Sequence, residues 1–213
     1  MADLREFGTI FWDFDGVIKE SLDIKGQIFS SLFEDQGPEF QARVMSHHLQ
    51  HGGVSRFKKL EQYLSWAYGR TDPGMLSKLL DQFSVLSVLK VVNSPWAPCV
   101  QEYLITNSAK QTFFLLTATP QKDIDCILNK LGIKNCFKTV YGGEYQKSAV
   151  VRKELLCCRL NDSSAVLIGD SYVDYYAAIE NKIDFLLKKT NFNIGLQKHF
   201  TGKQIKGFCE WIG

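Results

Sequence analysis

Thr9-Ile10-Phe11-Trp12-Asp13-Phe14-Asp15-Gly16-Val17 is the stretch on which the reading of this chain turns. Its β-branched and aromatic start reads as a short buried strand over 9–14, which the abrupt Asp-x-Asp-Gly ends. Asp13 and Asp15 are two carboxylates at the edge of an apolar core. Their charges repel unless a cation or a proton intervenes. That cost points to chemistry: one carboxylate to attack, one to move protons, and a metal to reconcile them.

Outward from this stretch the pattern changes. From about Ser21 to Val92 apolar residues recur at helical spacing, as in Ile24, Ile28, Leu32 and Phe33, then Phe57, Leu60, Tyr63 and Leu64, then Leu76, Leu79, Leu80 and Phe83. Gly37-Pro38, Gly52-Gly53 and Asp72-Pro73-Gly74 punctuate this helical block. Asn93-Ser94-Pro95-Trp96-Ala97-Pro98 reads as the hinge at its exit. Beyond the hinge, helices alternate with apolar strands at Thr112–Thr117, around Val140-Tyr141, at Ser164–Ile168 and around Phe185–Leu187. Pro120 and Gly132 bracket one of these helices; others are expected near 98–106, 148–158 and from Val173. The alternation predicts an α/β fold with a parallel sheet covered on both faces. Ligands of such sheets bind beyond the carboxyl ends of the strands. Asp13, Thr117 and Asp170 fall at such ends, and the helical block, inserted after the first of them, should hang over the site.

The bulk properties narrow the class. A chain of 213 residues suits one good core with a small insert. A net charge of +2, with no basic run longer than a pair, gives no nucleic-acid footprint. No apolar stretch is long enough to span a bilayer, and the polar Met1–Glu6 start has no apolar signal core behind it. The six cysteines form no CxxC pair, so neither a zinc framework nor a disulfide scaffold is evident. These features predict a reduced cytoplasmic protein with no nucleic-acid or membrane partner, a monomer or weak dimer. Asn161-Asp162-Ser163 is then only a surface loop.

Candidates for one site are Asp13, Asp15, Thr117, Lys147, Asp170 and Asp174. Gly169-Asp170-Ser171-x-x-Asp174 places its two acids about one helical turn apart. Several carboxylates and one lysine around a point suit a hard cation, Mg²⁺ shared with a phosphate. Thr117 offers a hydroxyl and the backbone N–H groups that follow it, and Lys147 a point charge, to phosphoryl oxygens. Plainer readings exist: Asp174 as an acid favoured at a helix start, Lys147 as a solvated surface lysine, Arg56 as a helix-start ion pair. His47 and His51 lie one helical turn apart but lack a third ligand, and read as cap surface or core.

Taken in order, Phe11–Val17, Leu115–Pro120, Lys147 and Ile168–Ala178 resemble the four motifs of the haloacid dehalogenase (HAD) superfamily over essentially the whole chain. The resemblance implies a Rossmann-like core of residues 1–19 and 96–213 with a helical cap of 20–95. It implies that Asp13 is the nucleophile, forming an aspartyl-phosphate and binding Mg²⁺, and that Asp15 protonates the leaving oxygen, then activates water, its backbone carbonyl also on the metal. Thr117 would hold the phosphoryl group and Lys147 balance its charge. Asp170 would ligate the metal, and Asp174 support it directly or through water. Gly16 and Ala118, inside these motifs, are substrate-binding candidates. The superfamily's dehalogenases and phosphonatases lack an acid matching Asp15, so a phosphatase of a small phosphorylated metabolite, such as a sugar phosphate, is favoured. Gly53-Val54-Ser55-Arg56 is similar to a cap loop of sugar phosphomutases in the superfamily, where the arginine grips a distal phosphate. Arg56 is thereby a substrate candidate and a mutase the nearest rival. Gly169-Asp170 is the more phosphatase-like form, and Ser148 stands where a proline often follows the lysine. A non-catalytic ligand- or protein-binding module is the rival from another class.

Overall fold

The computed structural model describes residues 3–51, 54–158 and 164–212. Gly52-Gly53 and the Asn161-Asp162-Ser163 loop lie outside them. β1 (Thr9–Trp12), β2 (Thr112–Leu116), β3 (Thr139–Tyr141), β4 (Ala165–Gly169), β5 (Asp184–Lys188) and β6 (Gln204–Ile205) form one sheet in the order β3-β2-β1-β4-β5-β6, all pairs parallel. Successive side chains on a strand face opposite ways. Ile10, Trp12, Phe113, Leu115, Val166 and Ile168 fill one face; Phe11, Phe114, Leu116 and Leu167 fill the other. α5 (Val100–Asn107) and α6 (Gln121–Leu131) cover the first face, α7 (Lys147–Cys158) and α8 (Tyr172–Glu180) the second. β1 is central, and its register sets Trp12 beside both Leu115 and Ile168. That register brings the residues after β1, β2 and β4 to one edge.

β1 ends two residues earlier than the sequence suggests. Asp13 N–H still donates to Ile168 O at 2.9 Å, but the Phe14 carbonyl turns inward to accept from Ile18 N at 2.8 Å and Lys19 N at 3.1 Å. α1 (Leu22–Ser31), α2 (Pro38–Gln50), α3 (Arg56–Tyr68) and α4 (Pro73–Val92) follow. Pro38 and Pro73 open their helices where a missing N–H costs nothing. The four helices enclose a core of their own, with Phe29, Phe33, Tyr63 and Phe83 at its centre. The chain enters and leaves the block side by side. Lys19 and Trp96 form an antiparallel bridge, Glu20 N–H donates to Pro95 O at 2.9 Å and Ala97 N–H to Ile18 O at 3.0 Å. The buried Lys19 ammonium rests on the Trp96 ring, 4.3 Å from its centroid, and donates to Val92 O at 3.2 Å.

Two further features depart from the sequence reading. α9 (Ile194–His199) and β6 extend the sheet past its expected last strand, with Leu187 paired to Gln204 and Lys188 to Ile205. The expectation of uniformly reduced cysteines is corrected: Cys99 and Cys209 form a disulfide across 110 residues of chain. So wide a separation leaves no spacing signal; the pair meets because Phe208 N–H reaches Pro98 O at 2.8 Å. Among the described residues, no helix is long and apolar enough to cross a membrane.

Closing so long a loop restricts the unfolded chain. Replacing both Cys99 and Cys209 by serine should lower unfolding free energy by about 2–4 kcal/mol. Urea denaturation of the variant without reductant should match wild type treated with dithiothreitol.

Candidate active site

Lys147, the first residue of α7, lies between two carboxylates: its Nζ is 2.8 Å from Asp13 Oδ1 and 2.6 Å from Asp174 Oδ1. Asp174 is also part of the start of α8. Ser171 caps that helix, accepting from Asp174 N–H, and its own N–H and Oγ donate to Asp174 Oδ2 at 3.2 and 2.5 Å. The capping box and the ion pair thus use the two oxygens of one side chain. Gly169 is required here, because a Cβ would stand 2.2 Å from Asp174 Cβ. Gly16 has φ of +82°, and a Cβ on it would come within 2.4 Å of Asp170 Oδ2.

Asp13, Asp170 and Asp174 can place one oxygen each within 4.8 Å of one another. Asp170 is held through its backbone, whose carbonyl accepts from Asn193 Nδ2 at 2.8 Å. Its buried carboxylate receives no hydrogen bond from the described residues. Burial pushes the Asp13 carboxyl up to about 7; Lys147 opposes this, while Asp174 and Asp15 add to it. Asp170 is raised well above its ordinary value by burial, then by Asp13 and Asp174. Burial works against the Lys147 ammonium, but Asp13 and Asp174 outweigh it and raise its pKa. One lysine does not neutralise this group. An all-oxygen set with an unpartnered buried carboxylate fits a small divalent cation.

Asp15 faces another way. Ser21 Oγ donates to its Oδ1 at 2.6 Å, Thr119 Oγ1 to its Oδ2 at 3.1 Å, and Lys25 forms an ion pair with that same oxygen. Burial alone would raise this carboxyl, yet the Lys25 charge and the three hydrogen bonds prevail and hold it below the ordinary value. A cavity of about 60 Å³ opens against it, lined by Lys25, His48, Arg56, Lys59 and Thr119 among others. Thr117 is buried after β2; its N–H donates to Tyr141 O at 3.0 Å and its hydroxyl accepts from Thr119 N at 3.1 Å. With Ala118 and Lys147 it lines a wider groove of about 590 Å³.

Arg56 is the candidate that the structure places apart. Its guanidinium pairs with Asp123 of α6, whose other oxygen accepts from Ser84 Oγ of α4. This link joins helical block to sheet domain, although Arg56 still borders the smaller cavity. His47 and His51 stack on each other, and His47 Nδ1 meets Tyr63 OH at 3.1 Å. Tyr172 borders a groove with Asp170, whereas Tyr175 packs on Phe185 and Phe200. Ser21, Lys25, Thr119 and Asn193 went unread in the sequence. Only Thr119 carried a signal, two residues beyond Thr117.

Residues 10–188 match the family model of haloacid dehalogenase-like hydrolases. The chain belongs to this family. As a haloacid dehalogenase-like hydrolase it shares its fold with a predicted phosphoglycolate phosphatase from Haemophilus somnus, at 20% identity and a TM-score of 0.80, over 98% of this chain and 97% of that one. CbbY from Rhodobacter sphaeroides, in complex with phosphate, superposes with a TM-score of 0.76 at 14% identity over 96% of each chain. The hydrolase YfnB from Bacillus subtilis, bound to magnesium, gives 0.71 at 16% identity, again over 96% of each. No curated protein sequence matches the chain.

The Asp13 shift has a thermodynamic consequence for this hydrolase without metal. A carboxyl whose folded pKa is about 7, against 3.8 for the free group, binds more protons folded than unfolded between these values. Its stabilising contribution is complete below the lower value and lost as pH rises through the upper one. Asp13→Asn, which mimics the protonated form, should stabilise the EDTA-treated protein by on the order of 1–3 kcal/mol at pH 7.5 and much less at pH 4.5. Melting curves of both proteins at the two pH values check this.

Proposed function

We propose that the chain is a Mg²⁺-dependent phosphatase acting on a small phosphorylated metabolite through an aspartyl-phosphate on Asp13. One observation carries the reading: Asp13, Asp170, Asp174 and Lys147 meet at the joined strand ends while Asp15 turns toward a separate small cavity. The first group suits a phosphoryl group, the second a leaving group.

Asp13 and Asp170, with the Asp15 backbone carbonyl, would hold the cation, and Asp174 would support it and fix Lys147. When bound, Mg²⁺ supplies positive charge to the phosphoryl oxygens and screens Asp13 from Asp170. Asp13 attacks phosphorus with the oxygen not paired to Lys147. Thr117, with the Ala118 N–H, orients the phosphoryl oxygens, and Lys147 offsets their charge. Gly16 leaves room at the Asp170 side. Asp15 gives a proton to the departing alkoxide, then as a carboxylate takes one from the attacking water. The ionised state held by Lys25, Ser21 and Thr119 suits that second half; for the first half Asp15 takes up a proton from solvent as the Lys25 pair opens. The helices between residues 20 and 95 serve as a cap over the core of 1–19 and 96–213, excluding bulk solvent and macromolecules.

The names of the relatives, a phosphoglycolate phosphatase and a phosphate-bound protein, support a phosphate ester as substrate. A magnesium-bound relative supports the choice of ion. A structure described as a β-phosphoglucomutase, from Thermotoga maritima, shares the fold at 17% identity. Arg56 is paired with Asp123 yet borders the cavity beside Asp15, so a mutase stays the nearest rival. The cytoplasmic location belongs to this proposal too, and the Cys99–Cys209 bond weighs against it.

Purified protein should release phosphate from p-nitrophenyl phosphate with Mg²⁺, stop with EDTA and recover on Mg²⁺ addition. Asp13→Asn should lower kcat by at least about 10³-fold, roughly 4 kcal/mol of barrier, with the fold intact by circular dichroism. Full activity in that variant would remove Asp13 from the mechanism. Isomerisation of a sugar phosphate without phosphate release would replace the phosphatase by a mutase.

A further inference from the structure

The cavity beside Asp15 contains a charge that the chemistry above does not use. Five ionisable side chains border it: Asp15, Lys25, His48, Arg56 and Lys59. Lys25 is paired with Asp15 and Arg56 with Asp123. Lys59, on the first turn of α3, is only 3% exposed and has no carboxylate within 4.0 Å among the described residues. Its Nζ donates to His48 Nδ1 at 3.0 Å and weakly to the His48 carbonyl at 3.4 Å. The His48 partners fix its tautomer, because Leu22 O, 3.2 Å from Nε2, can only accept. His48 therefore presents a lone pair to Lys59 and cannot neutralise it. An ammonium has three N–H donors, and beyond His48 Lys59 has, among the described residues, only the face of the Phe29 ring, 5.8 Å from Nζ.

Burying such a charge without an anion is costly. The cost is visible in Lys59 itself: burial, with repulsion from Lys25, brings its pKa down to about 7. A link between α2 and α3 alone would need only a neutral donor to His48. The charge is useful when an anion enters the cavity. With Lys25 paired to Asp15 and Arg56 to Asp123, Lys59 is the one uncommitted cation among the five, which matches the single charge of a carboxylate better than the double charge of a second phosphate.

We propose that Lys59, aligned by His48, receives a carboxylate on the leaving group, so that the preferred substrates are phosphate monoesters of short hydroxy acids. This rests on the phosphatase reading, in which Asp15 faces the leaving group. Lys59 is here a specificity residue: it binds the part of the substrate that does not react, on the side where the alcohol departs. A short leaving group can bridge from Asp15 to Lys59 within one small cavity.

The test uses matched esters that differ only in a carboxylate. 2-Phosphoglycolate is compared with 2-hydroxyethyl phosphate, and 3-phosphoglycerate with glycerol 3-phosphate, by phosphate release from the full chain with Mg²⁺. Wild type should favour the acid in at least one pair by about tenfold or more in kcat/KM, the scale of one hydrogen bond to a charged group. Lys59→Met should bring that ratio close to one, and so should Lys59→Gln, which keeps a donor for His48 but not the charge. A wild-type ratio near one in both pairs overturns the proposal, as does a variant that folds and retains the wild-type ratio. Should neither variant fold, the wild-type ratio alone decides. Hydrolysis of p-nitrophenyl phosphate with no preference for acids sinks only the carboxylate subsite. No hydrolysis of any of these esters removes the phosphatase reading and this proposal together.

Discussion

The contact of Lys147 with Asp13 and Asp174 is the one on which the rest of the structure depends. Four acids meet near the carboxyl ends of the central strands, where burial makes each negative charge expensive. Lys25 answers Asp15 from the helical block, and Lys147 answers Asp13 and Asp174 from the sheet domain. Asp170 is left facing Asp13 with nothing between them. The fold therefore gathers more acid than its lysines neutralise, a donor set that fits a divalent cation. Rigid elements keep it there: β1 and β4 are hydrogen-bonded neighbours, and the start of α8 is locked by its capping box.

Much of this was legible because strand ends are local features. Asp13, Thr117 and Asp170 each follow an apolar run, and the Gly-Asp-Ser-x-x-Asp pattern fixed Asp174 at a helix start. Lys147 has no such local marker; it could be placed only through its order among the motifs. What escaped reading depends on distance along the chain. Thr119 comes to Asp15 from 104 residues away and Lys25 to Thr119 from 94. The partner of Arg56 lies 67 residues off, and nothing near Asp123 announces it. β6 has two residues, too few for any periodicity. Cys99 and Cys209 meet through the packing of the C-terminal segment, which no cysteine spacing encodes.

The two parts of the molecule are joined in chemically different ways. Where the chain enters and leaves the helical block the connections are backbone hydrogen bonds and the Lys19–Trp96 stack. Across the site they are charges: Arg56 with Asp123, Lys25 with Asp15. Both pairs are largely buried, so salt screens them little and separating either one leaves a buried charge without its partner. Lys25 and Arg56, which make these two links, also line the cavity beside Asp15.

The central place of β1 also bears on how the protein is made. The strand that leads into Asp13 is made before its neighbours β2 and β4, which follow about a hundred and about a hundred and fifty residues later. Until then an apolar strand waits without partners, the kind of segment that invites misassociation. The helical block lies in the interval and has a core of its own. Placing the helical block immediately after β1 separates the central strand from both neighbours along the chain, so Asp13 and Asp170 come together only when β4 pairs with β1.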